Sequence, residues 1–451
     1  MGWASDELAT IDLGDARLNR RAATLAESFA QSPTASIPGA CHDTAEVRAA
    51  YRFFDHDNVG FWDVLDPHIR STERRMREHA VALCLPDTTS LDFNGQDIEG
   101  LGPLVYEPQR GLPVHPTYVV TPGREPLGLI DSWHWARQFR DDGGDRPSDV
   151  IESQRWVDGY ERIAETATTM PGTRCVCVGD RESDLMPLMK RAVELDHPAD
   201  WLVRAKHDRV LGDDEGGHLF ARVAASEPIG QVRFRYRPRR GTQARDVVQE
   251  LRVMRVSLGK RDKLAATCIV AREIDAPEGV HPLEWKLLTN RLVGGADEAA
   301  ELIDWYRARW EIEQFFDVLK NGCKVEQLQL KTLARLEVAL ALALFMIVAW
   351  RIDRLMRLGR NCLEMPAQVI FEPEEIVAAY AANKQHPPKE GATLGETMRM
   401  VAMAGGFLGR KGDGDPGVRT IWRGLEYVMA FADGLRWAAS VPATGQAETC
   451  V

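Results

Sequence analysis

The chain has 451 residues, of which 44% are hydrophobic and 27% are charged, and its formal net charge is −11. These proportions are ordinary for a soluble globular protein with room for about three domains. The charge excludes a chain that is basic throughout, although a whole-chain sum hides local basic patches.

The start of the chain and its cysteines predict a reducing environment. No charged segment followed by an apolar segment opens the sequence, so we expect no secretory signal. The eight cysteines are scattered without a CxxC pair, so neither a zinc site nor a disulfide framework is expected. Cys175 and Cys177 lie on a strand-like run and are predicted core residues.

The first part of the chain is predicted to be helical and then to enter a sheet. Residues 1–75 carry leucine and alanine at helical spacing, as in LGDARLNRRAATLAESFA. The apolar run 81–85 ends at Pro86 and Asp87, which predicts a buried strand that ends in an acid. Residues 117–137 predict a hairpin, because the turn sequence PGREP separates two apolar stretches.

The middle of the chain repeats this strand pattern and then changes character. A helix is predicted over much of 150–168, and a second buried strand, residues 174–178, leads to Asp180. Residues 201–290 alternate apolar and polar side chains between turns, which predicts several strands. Within them, residues 233–245 contain six arginines and no acid. That segment fits either a half-exposed strand or a DNA contact.

The last part of the chain is predicted to be mostly helical. One helix is predicted from Ala296 through Lys320, another over 335–360, and further helices after Pro366. The longest apolar run, residues 338–350, is too short to span a membrane and predicts a buried core helix.

Four side chains of the predicted helix 296–320 share one narrow face at about 100° per residue. They are Tyr306, Arg309, Glu313 and Lys320. One carboxylate among two cations and a phenol suits a metal ligand that faces a phosphate-rich partner. A salt-bridged surface explains the same pattern, because glutamate and arginine four residues apart pair on exposed helices.

Three carboxylates form the candidate catalytic set. Asp87 and Asp180 each follow a predicted buried strand, and a sheet with parallel strands gathers such ends at one edge. Glu313 adds a third oxygen ligand, and such ligands suit Mg²⁺ or Mn²⁺. Two such ions about 4 Å apart would promote phosphoryl transfer. Taken singly, each aspartate is more simply explained as a turn former or a helix cap.

The order of these elements predicts an α/β fold class. A strand with Asp, a strand with Asp and a helix with Glu follow one another in a ribonuclease-H-like core with a mixed sheet. In such a core the helix follows the second aspartate much sooner. Residues 201–290 are therefore predicted to be an inserted β domain.

Three motifs resemble those of a known family. DTTS begins at Asp87, VGDRESD contains Asp180, and the spacing Tyr-x2-Arg-x3-Glu-x6-Lys begins at Tyr306. Together they resemble the Y-R-E-K-signature DDE transposases of bacterial insertion sequences, the family-four group with a β insertion. The resemblance covers most of the chain, including DLGDARLNRR near its start and GGFLGRKGDGDPGVRTIWRGLE near its end. One departure is Asp317, where the best-known members carry a basic residue.

The resemblance implies cut-and-paste DNA transposition. In that family Mg²⁺, which Mn²⁺ can replace, is held by carboxylates that match Asp87, Asp180 and Glu313. Water nicks the transposon end, the freed 3′-hydroxyl makes a hairpin, a second water opens it, and the 3′-hydroxyl attacks target DNA. Positions that match DNA-contacting residues are Tyr306, Arg309, Lys320, Arg204, Lys206, Trp285 and Trp310. The two tryptophans match positions that hold a flipped base.

The resemblance also implies three domains and two kinds of partner. Residues 1–75 would form an N-terminal helical domain that binds DNA ends, residues 76–365 a catalytic domain with the β-rich insertion, and residues 366–451 a C-terminal helical dimerisation domain. The expected partners are double-stranded DNA, as terminal inverted repeats and target, and a second copy of the chain. No membrane partner is expected, and the expected location is the bacterial cytoplasm, on the nucleoid when DNA is bound.

Two alternatives stay open. A nuclease of ribonuclease-H type would use the same core without strand transfer, but the β insertion and the Y-R-E-K helix argue against it. A non-catalytic, domesticated relative would bind element ends or inhibit an active partner through mixed dimers. The intact Asp87, Asp180 and Glu313 argue against that second alternative.

Overall fold

The computed structural model describes residues 2–41, 43–96, 98–106, 108–138, 148–213, 216–236, 245–328, 337–410 and 416–440. The chain divides into two compact units. The sheet unit contains Ile69–Ser90 and Gly102–Glu313, and the helical unit contains Met1–His68, Leu91–Leu101 and Gln314–Val451.

The helices in chain order are α1 (Trp3–Glu7), α2 (Ala16–Gln31), α3 (Ile37–Ala40), α4 (Thr44–Phe54), α5 (Phe61–Met76), α6 (Ser148–Thr168), α7 (Met186–Glu194), α8 (Leu219–Ala224), α9 (Ala296–Arg307), α10 (Trp310–Asp317), α11 (Glu337–Asn361), α12 (Pro373–Ala382), α13 (Leu394–Ala404) and α14 (Val418–Ser440). Two of the early helices, α2 and α4, begin at acidic caps. Asp15 accepts a hydrogen bond from the Arg17 backbone N–H at the start of α2, and Asp43 accepts one from the Glu46 N–H at the start of α4. Such caps satisfy amide groups that the first turn leaves unpaired.

The strands in chain order are β1 (Val81–Pro86), β2 (Thr89–Asp92), β3 (Gly102–Pro103), β4 (Arg110–Val120), β5 (Pro126–His134), β6 (Arg174–Gly179), β7 (Asp200–Arg204), β8 (Gly230–Tyr236), β9 (Arg245–Leu258), β10 (Leu264–Ile274) and β11 (Glu284–Thr289). They form one mixed sheet with the order β2-β4-β1-β6-β7-β11-β10-β9-β8, in which β3 and β5 pair with β4. β1, β6 and β7 are parallel, whereas β4 is antiparallel to β1 and β5. The order β5-β4-β1-β6-β7 and these directions are those of a ribonuclease-H-like core, which confirms the predicted α/β class.

The central strands are apolar because the sheet is covered. Parallel strands with both faces buried read as continuous apolar runs, and only the first residue of β1 and of β6 is not buried. Trp156 and Tyr160 of α6 and Leu188 of α7 belong to the core cluster that contains Cys175 and Cys177. The prediction that these two cysteines are core residues is confirmed.

The predicted β-rich segment extends the same sheet. β11 pairs antiparallel with β7, so that Leu287 lies opposite Arg204, and β10, β9 and β8 follow outward. Side chains of β8 alternate between half-buried and exposed, as expected for a half-exposed strand. The rest of the predicted arginine-rich segment, residues 237–244, lies outside the described residues.

The longest apolar run forms the predicted core helix. It lies within α11, and the side chains of residues 339–350 are buried. Among the helices that the structure describes, none combines the length and the apolar character that crossing a membrane requires.

The prediction of one continuous helix over 296–320 is wrong. α9 ends at Arg307, α10 begins at Trp310, and a π-helical turn occupies Val318–Gly322. Between α9 and α10 the backbone tightens, because the Arg309 N–H donates to the Tyr306 carbonyl at 3.1 Å and the Ile312 N–H donates to the Arg309 carbonyl at 3.3 Å. The constant spacing of 100° therefore does not hold from Tyr306 to Lys320.

Candidate active site

Asp87 and Asp180 lie side by side at one edge of the sheet. β1 and β6 pair in parallel from Val81 opposite Arg174 to Cys84 opposite Cys177. Asp87 directly follows β1, and Asp180 directly follows β6. Carrying the same register forward puts the two aspartates opposite each other, at the edge where α/β sheets bind their ligands.

Backbone hydrogen bonds orient both aspartates. The Thr88 N–H donates to Asp87 Oδ1 at 2.8 Å, and the Glu182 N–H donates to Asp180 Oδ1 at 2.7 Å. The Ser183 hydroxyl donates to the Asp180 carbonyl at 2.7 Å. Each carboxylate therefore leaves the short loop after its strand in a fixed direction.

Arg309 connects Asp87 with Glu313. Its Nη1 donates to Asp87 Oδ2 at 2.7 Å, and its Nη2 lies 3.4 Å from Glu313 Oε1. The guanidinium is buried, its carbon atom lies 5.1 Å from the Trp310 ring centre, and the Glu313 side chain is 38% exposed. The structure thus brings Asp87, Asp180, Arg309 and Glu313 into one cluster at the sheet edge.

The electrostatics of this cluster are unusual. Burial raises the pKa of Asp87 to about 7; Arg309 opposes the rise, while Asp180 and Glu313 add to it. Burial also works to lower the pKa of Arg309, but Asp87, Tyr306 and the other two carboxylates outweigh it and raise that pKa. The single positive charge of Arg309 therefore faces three carboxylates and cannot neutralise all of them.

This cluster leads to a prediction about stability. Because the pKa of Asp87 rises from 3.8 unfolded to about 7 folded, the folded state holds the proton more tightly between these values. Without metal ions, the free energy of unfolding of the wild-type chain should fall by about 1.4 kcal/mol for each pH unit between these two pKa values. The Asp87→Asn variant has no ionisable carboxyl group at this position and should not lose this stability. Urea unfolding in EDTA should show that the free energy of unfolding of Asp87→Asn rises relative to that of the wild type from pH 4 to pH 8. A difference between the two proteins that does not change with pH would contradict the raised pKa of Asp87.

Oxygen donors dominate the cluster and fit a hard divalent cation. Asp87, Asp180 and Glu313 carry the carboxylates that Mg²⁺ and Mn²⁺ prefer. In the described part of the chain, no three Asp, Glu, His or Cys side chains are grouped closely enough to hold a metal ion as they stand. Arg309 is the cation that pairs with two of the three carboxylates.

The predicted DNA-contacting residues divide into groups. Tyr306 is buried, which raises the pKa of its phenol, and it shares a hydrogen bond with Arg204 at the end of β7. Trp285 is also buried, stacked on Phe234 at 5.5 Å and edge-on to Tyr306 at 6.3 Å. Trp310, in contrast, is 50% exposed.

Arg204 and Lys206 line a cavity of about 250 Å³ in the sheet unit. The other lining residues are Arg181, Ala205, Phe220, Glu284 and Lys286. Glu284 contributes the one carboxylate of this lining, and it lies 2.7 Å from Lys286 Nζ. The lining is therefore net positive, which suits an anionic group such as phosphate.

Lys320 belongs to the helical unit. It lies on the π-helical turn, and its Nζ is 3.7 Å from Glu326 Oε1. Glu326 Oε1 also accepts a hydrogen bond from the Asp92 N–H at 3.0 Å. In that unit, Glu326 therefore links Lys320 to the segment Leu91–Leu101.

Two buried residues near the aspartates were not predicted from the sequence. His115 of β4 lies 2.8 Å from the Thr88 hydroxyl, and burial lowers its pKa to about 3, so it is neutral. Asp184 accepts the backbone N–H groups of Lys206 and His207. The motif VGDRESD did contain Asp184, but a fully buried second acid is not visible from spacing alone.

Three family models match successive segments of the chain. A model of transposase DNA-binding domains matches residues 1–59, a transposase DDE domain matches residues 154–349, and a Transposase Tn5 dimerisation domain matches residues 347–445. The DDE match contains Asp180 and Glu313, and Asp87 precedes it.

One solved structure is similar over nearly the whole chain. It is the cryo-EM structure of a piggyBac transposase synaptic complex with hairpin DNA, at 9% identity and a TM-score of 0.37, covering 98% of this chain and 78% of that chain. The family models carry the assignment: this chain has the DNA-binding, DDE and dimerisation domains of a Tn5-type DDE transposase.

Proposed function

We propose that this protein is a DNA transposase that cuts transposon ends and joins them to target DNA. The observation that carries the proposal is the register of β1 and β6, which brings Asp87 opposite Asp180, with Glu313 linked to Asp87 through Arg309. Two strand-end aspartates and a helix glutamate in this arrangement suit phosphoryl transfer.

Asp87, Asp180 and Glu313 would hold the metal ions, Mg²⁺ or Mn²⁺. When bound, two such ions supply Lewis-acid activation of the attacking oxygen and stabilise the leaving oxygen. The loops after β1 and β6 hold two of the three carboxylates in place before DNA arrives. Such preorganisation avoids reorganisation during the chemical step.

Cationic side chains around the carboxylates would grip the DNA backbone. Arg309 has two N–H edges suited to phosphate oxygens, and Tyr306 and Arg204 are joined by a hydrogen bond beside it. Lys206 would contact a phosphate from the basic cavity, and Lys320, which belongs to the helical unit, would also contact the DNA backbone. These contacts orient the scissile phosphate without reading sequence.

A hairpin intermediate would need a base to leave the stack. Trp310 is exposed enough to stack on such a base, whereas Trp285 is covered by Phe234 and must first separate from it. Base stacking on an aromatic ring contributes about 1–3 kcal/mol. The exposed tryptophan is therefore the better candidate for the first contact.

Two copies of the chain would act together on two ends. The dimerisation match contains α14, whose exposed aromatic side chains Tyr427, Phe431 and Trp437 would contact the second copy. The N-terminal helices would recognise the inverted repeats of the element, consistent with the DNA-binding match. Aromatic residues are enriched in such interfaces.

A cleavage assay tests the proposal. The substrate is a linear duplex that ends in the inverted repeat flanking the coding sequence, incubated with Mg²⁺ and resolved on a denaturing gel. We expect nicked and hairpin-ended products, followed by joining when target DNA is added. Nicking without joining would favour the nuclease alternative, and binding without cleavage would favour a non-catalytic relative.

A further inference from the structure

Asp184 is a buried acid that contributes no ligand to the candidate metal set. Its side chain has 0% exposure. Asp184 Oδ2 accepts hydrogen bonds from the backbone N–H of Lys206 at 2.6 Å and of His207 at 3.0 Å. Asp184 Oδ1 lies 2.6 Å from Arg209 Nη1, and Arg209 Nη2 donates to the Asp184 carbonyl at 2.8 Å.

These contacts fix the segment 205–209, which we name the arch. At its first residue, the Ala205 N–H donates to the Lys286 carbonyl at 2.8 Å, and at its last, the Arg209 carbonyl accepts the Leu219 N–H at 2.9 Å. Between these anchors, the hydrogen bonds of Asp184 hold the backbone of Lys206 and His207. The arch is thus attached to β11, α8 and the loop that follows Asp180.

The arch forms part of the wall of the basic cavity. Lys206 and Ala205 line it together with Arg204, Arg181 and Lys286. Arg181, which also lines the cavity, directly follows Asp180 in the chain. A lysine grips phosphate as a mobile point charge, and the position of its backbone decides which phosphate it can reach.

We propose that Asp184 is a positioning residue that holds Lys206 toward a DNA phosphate bound in the basic cavity. The inference rests on the proposed function, because it assigns a DNA phosphate to this cavity. Asp184 acts through the backbone of the arch and touches no DNA itself. If Asp184 had only a structural role, its ion pair with Arg209 would stabilise the fold but would not affect the number of phosphates that the protein contacts.

The test compares Asp184→Asn with Asp262→Asn. Asparagine keeps one acceptor oxygen but loses the charge that pairs with Arg209. Asp262 carries the same charge and also pairs with a cation, because its Oδ1 lies 2.9 Å from Lys190 Nζ, but its side chain is 41% exposed and belongs neither to the arch nor to the lining of the basic cavity. Binding of a flush-ended 30-base-pair duplex is measured by fluorescence anisotropy from 50 to 300 mM NaCl, and amide hydrogen exchange is followed at Lys206 and His207.

We expect Asp184→Asn to weaken duplex binding about tenfold at low salt and to reduce the slope of log K against log salt by about 0.9, the value for one phosphate contact. Lys206→Ala should do the same, and the double variant should bind no worse than Lys206→Ala. Exchange at Lys206 and His207 should accelerate in Asp184→Asn, while Asp262→Asn should stay within about twofold of the wild type in binding.

Three outcomes are distinguishable. An unchanged salt slope in a folded Asp184→Asn, or additive losses in the double variant, would overturn the positioning role. Unchanged amide exchange at Lys206 and His207 would overturn the holding role of Asp184 itself. If the wild-type chain shows no salt-dependent duplex binding, the proposed function fails instead, and the exchange experiment still decides whether Asp184 fixes the arch.

Discussion

Replacing Glu313 with glutamine is expected to reduce DNA cleavage by at least about a thousandfold, because a lost metal-ligand charge removes several kcal/mol of transition-state stabilisation. The substitution preserves size and one oxygen, and the Glu313 side chain is 38% exposed, so the fold should persist. Binding of the duplex should change by less than about threefold, since phosphate contacts rather than carboxylates supply affinity. The cleavage assay and duplex binding are measured on the same preparation.

Glu301→Gln is the matched control for this experiment. Glu301 lies on α9, its side chain is 50% exposed, and its carboxylate is 3.7 Å from Arg291 Nη1 rather than near the cluster. The same change of charge there should leave cleavage within about twofold of the wild type. Equal cleavage by Glu313→Gln and the wild type would remove Glu313 from the metal set.

Arg309→Ala is expected to change two properties in opposite directions. In the absence of DNA, Asp87 and Glu313 lose the cation that pairs with them, so Mn²⁺ should bind about tenfold more tightly, given about 1.5–3 kcal/mol for a charged hydrogen bond. Cleavage should nevertheless fall about a hundredfold, because the scissile phosphate loses a two-pronged contact. Mn²⁺ binding is followed by electron paramagnetic resonance at pH 8, with and without duplex.

In the wild-type chain, duplex DNA should raise Mn²⁺ affinity, because a phosphate that draws Arg309 away leaves Asp87 for the metal. Thermodynamic linkage requires that Mn²⁺ raise DNA affinity by the same factor. In Arg309→Ala this coupling should disappear. Arg307→Ala is the control, since Arg307 pairs with Asp304 at 3.1 Å and stacks on Phe234. Arg309→Lys is a second variant that keeps the positive charge. If folded Arg309→Ala binds Mn²⁺ with the affinity of the wild type, Arg309 does not compete with the metal for the carboxylates.

Local signals in the sequence predicted much of the fold. Apolar runs ended by an acid identified β1 and β6, the turn sequence PGREP at 122–126 identified the β4–β5 hairpin, and the apolar run in α11 identified the core helix. These features depend on neighbours along the chain, for which periodicity and turn residues are reliable signals. The ribonuclease-H-like strand order then followed from the order of the acids.

These local signals could not predict contacts between residues that lie far apart in the chain. Arg309 and Asp87 are 222 positions apart, and nothing in the spacing of either motif indicates their ion pair. The tightened backbone between α9 and α10 also escaped prediction, because residues 306–313 have ordinary helical composition and carry no local signal of a break. The arch and its buried Asp184 were missed for the same reason.

The distribution of the three carboxylates along the chain has a consequence during translation. The segment matched by the DNA-binding model leaves the ribosome before Asp87 and Asp180, and Glu313 comes only after β7 to β11 have been made. At about 5–20 residues per second, this interval lasts on the order of ten seconds. A nascent or prematurely ended chain can therefore carry the segment matched by the DNA-binding model and both aspartates while it lacks Glu313. If the three carboxylates act as proposed, the order of the elements delays DNA cutting until β7 to β11 and α9 have been made.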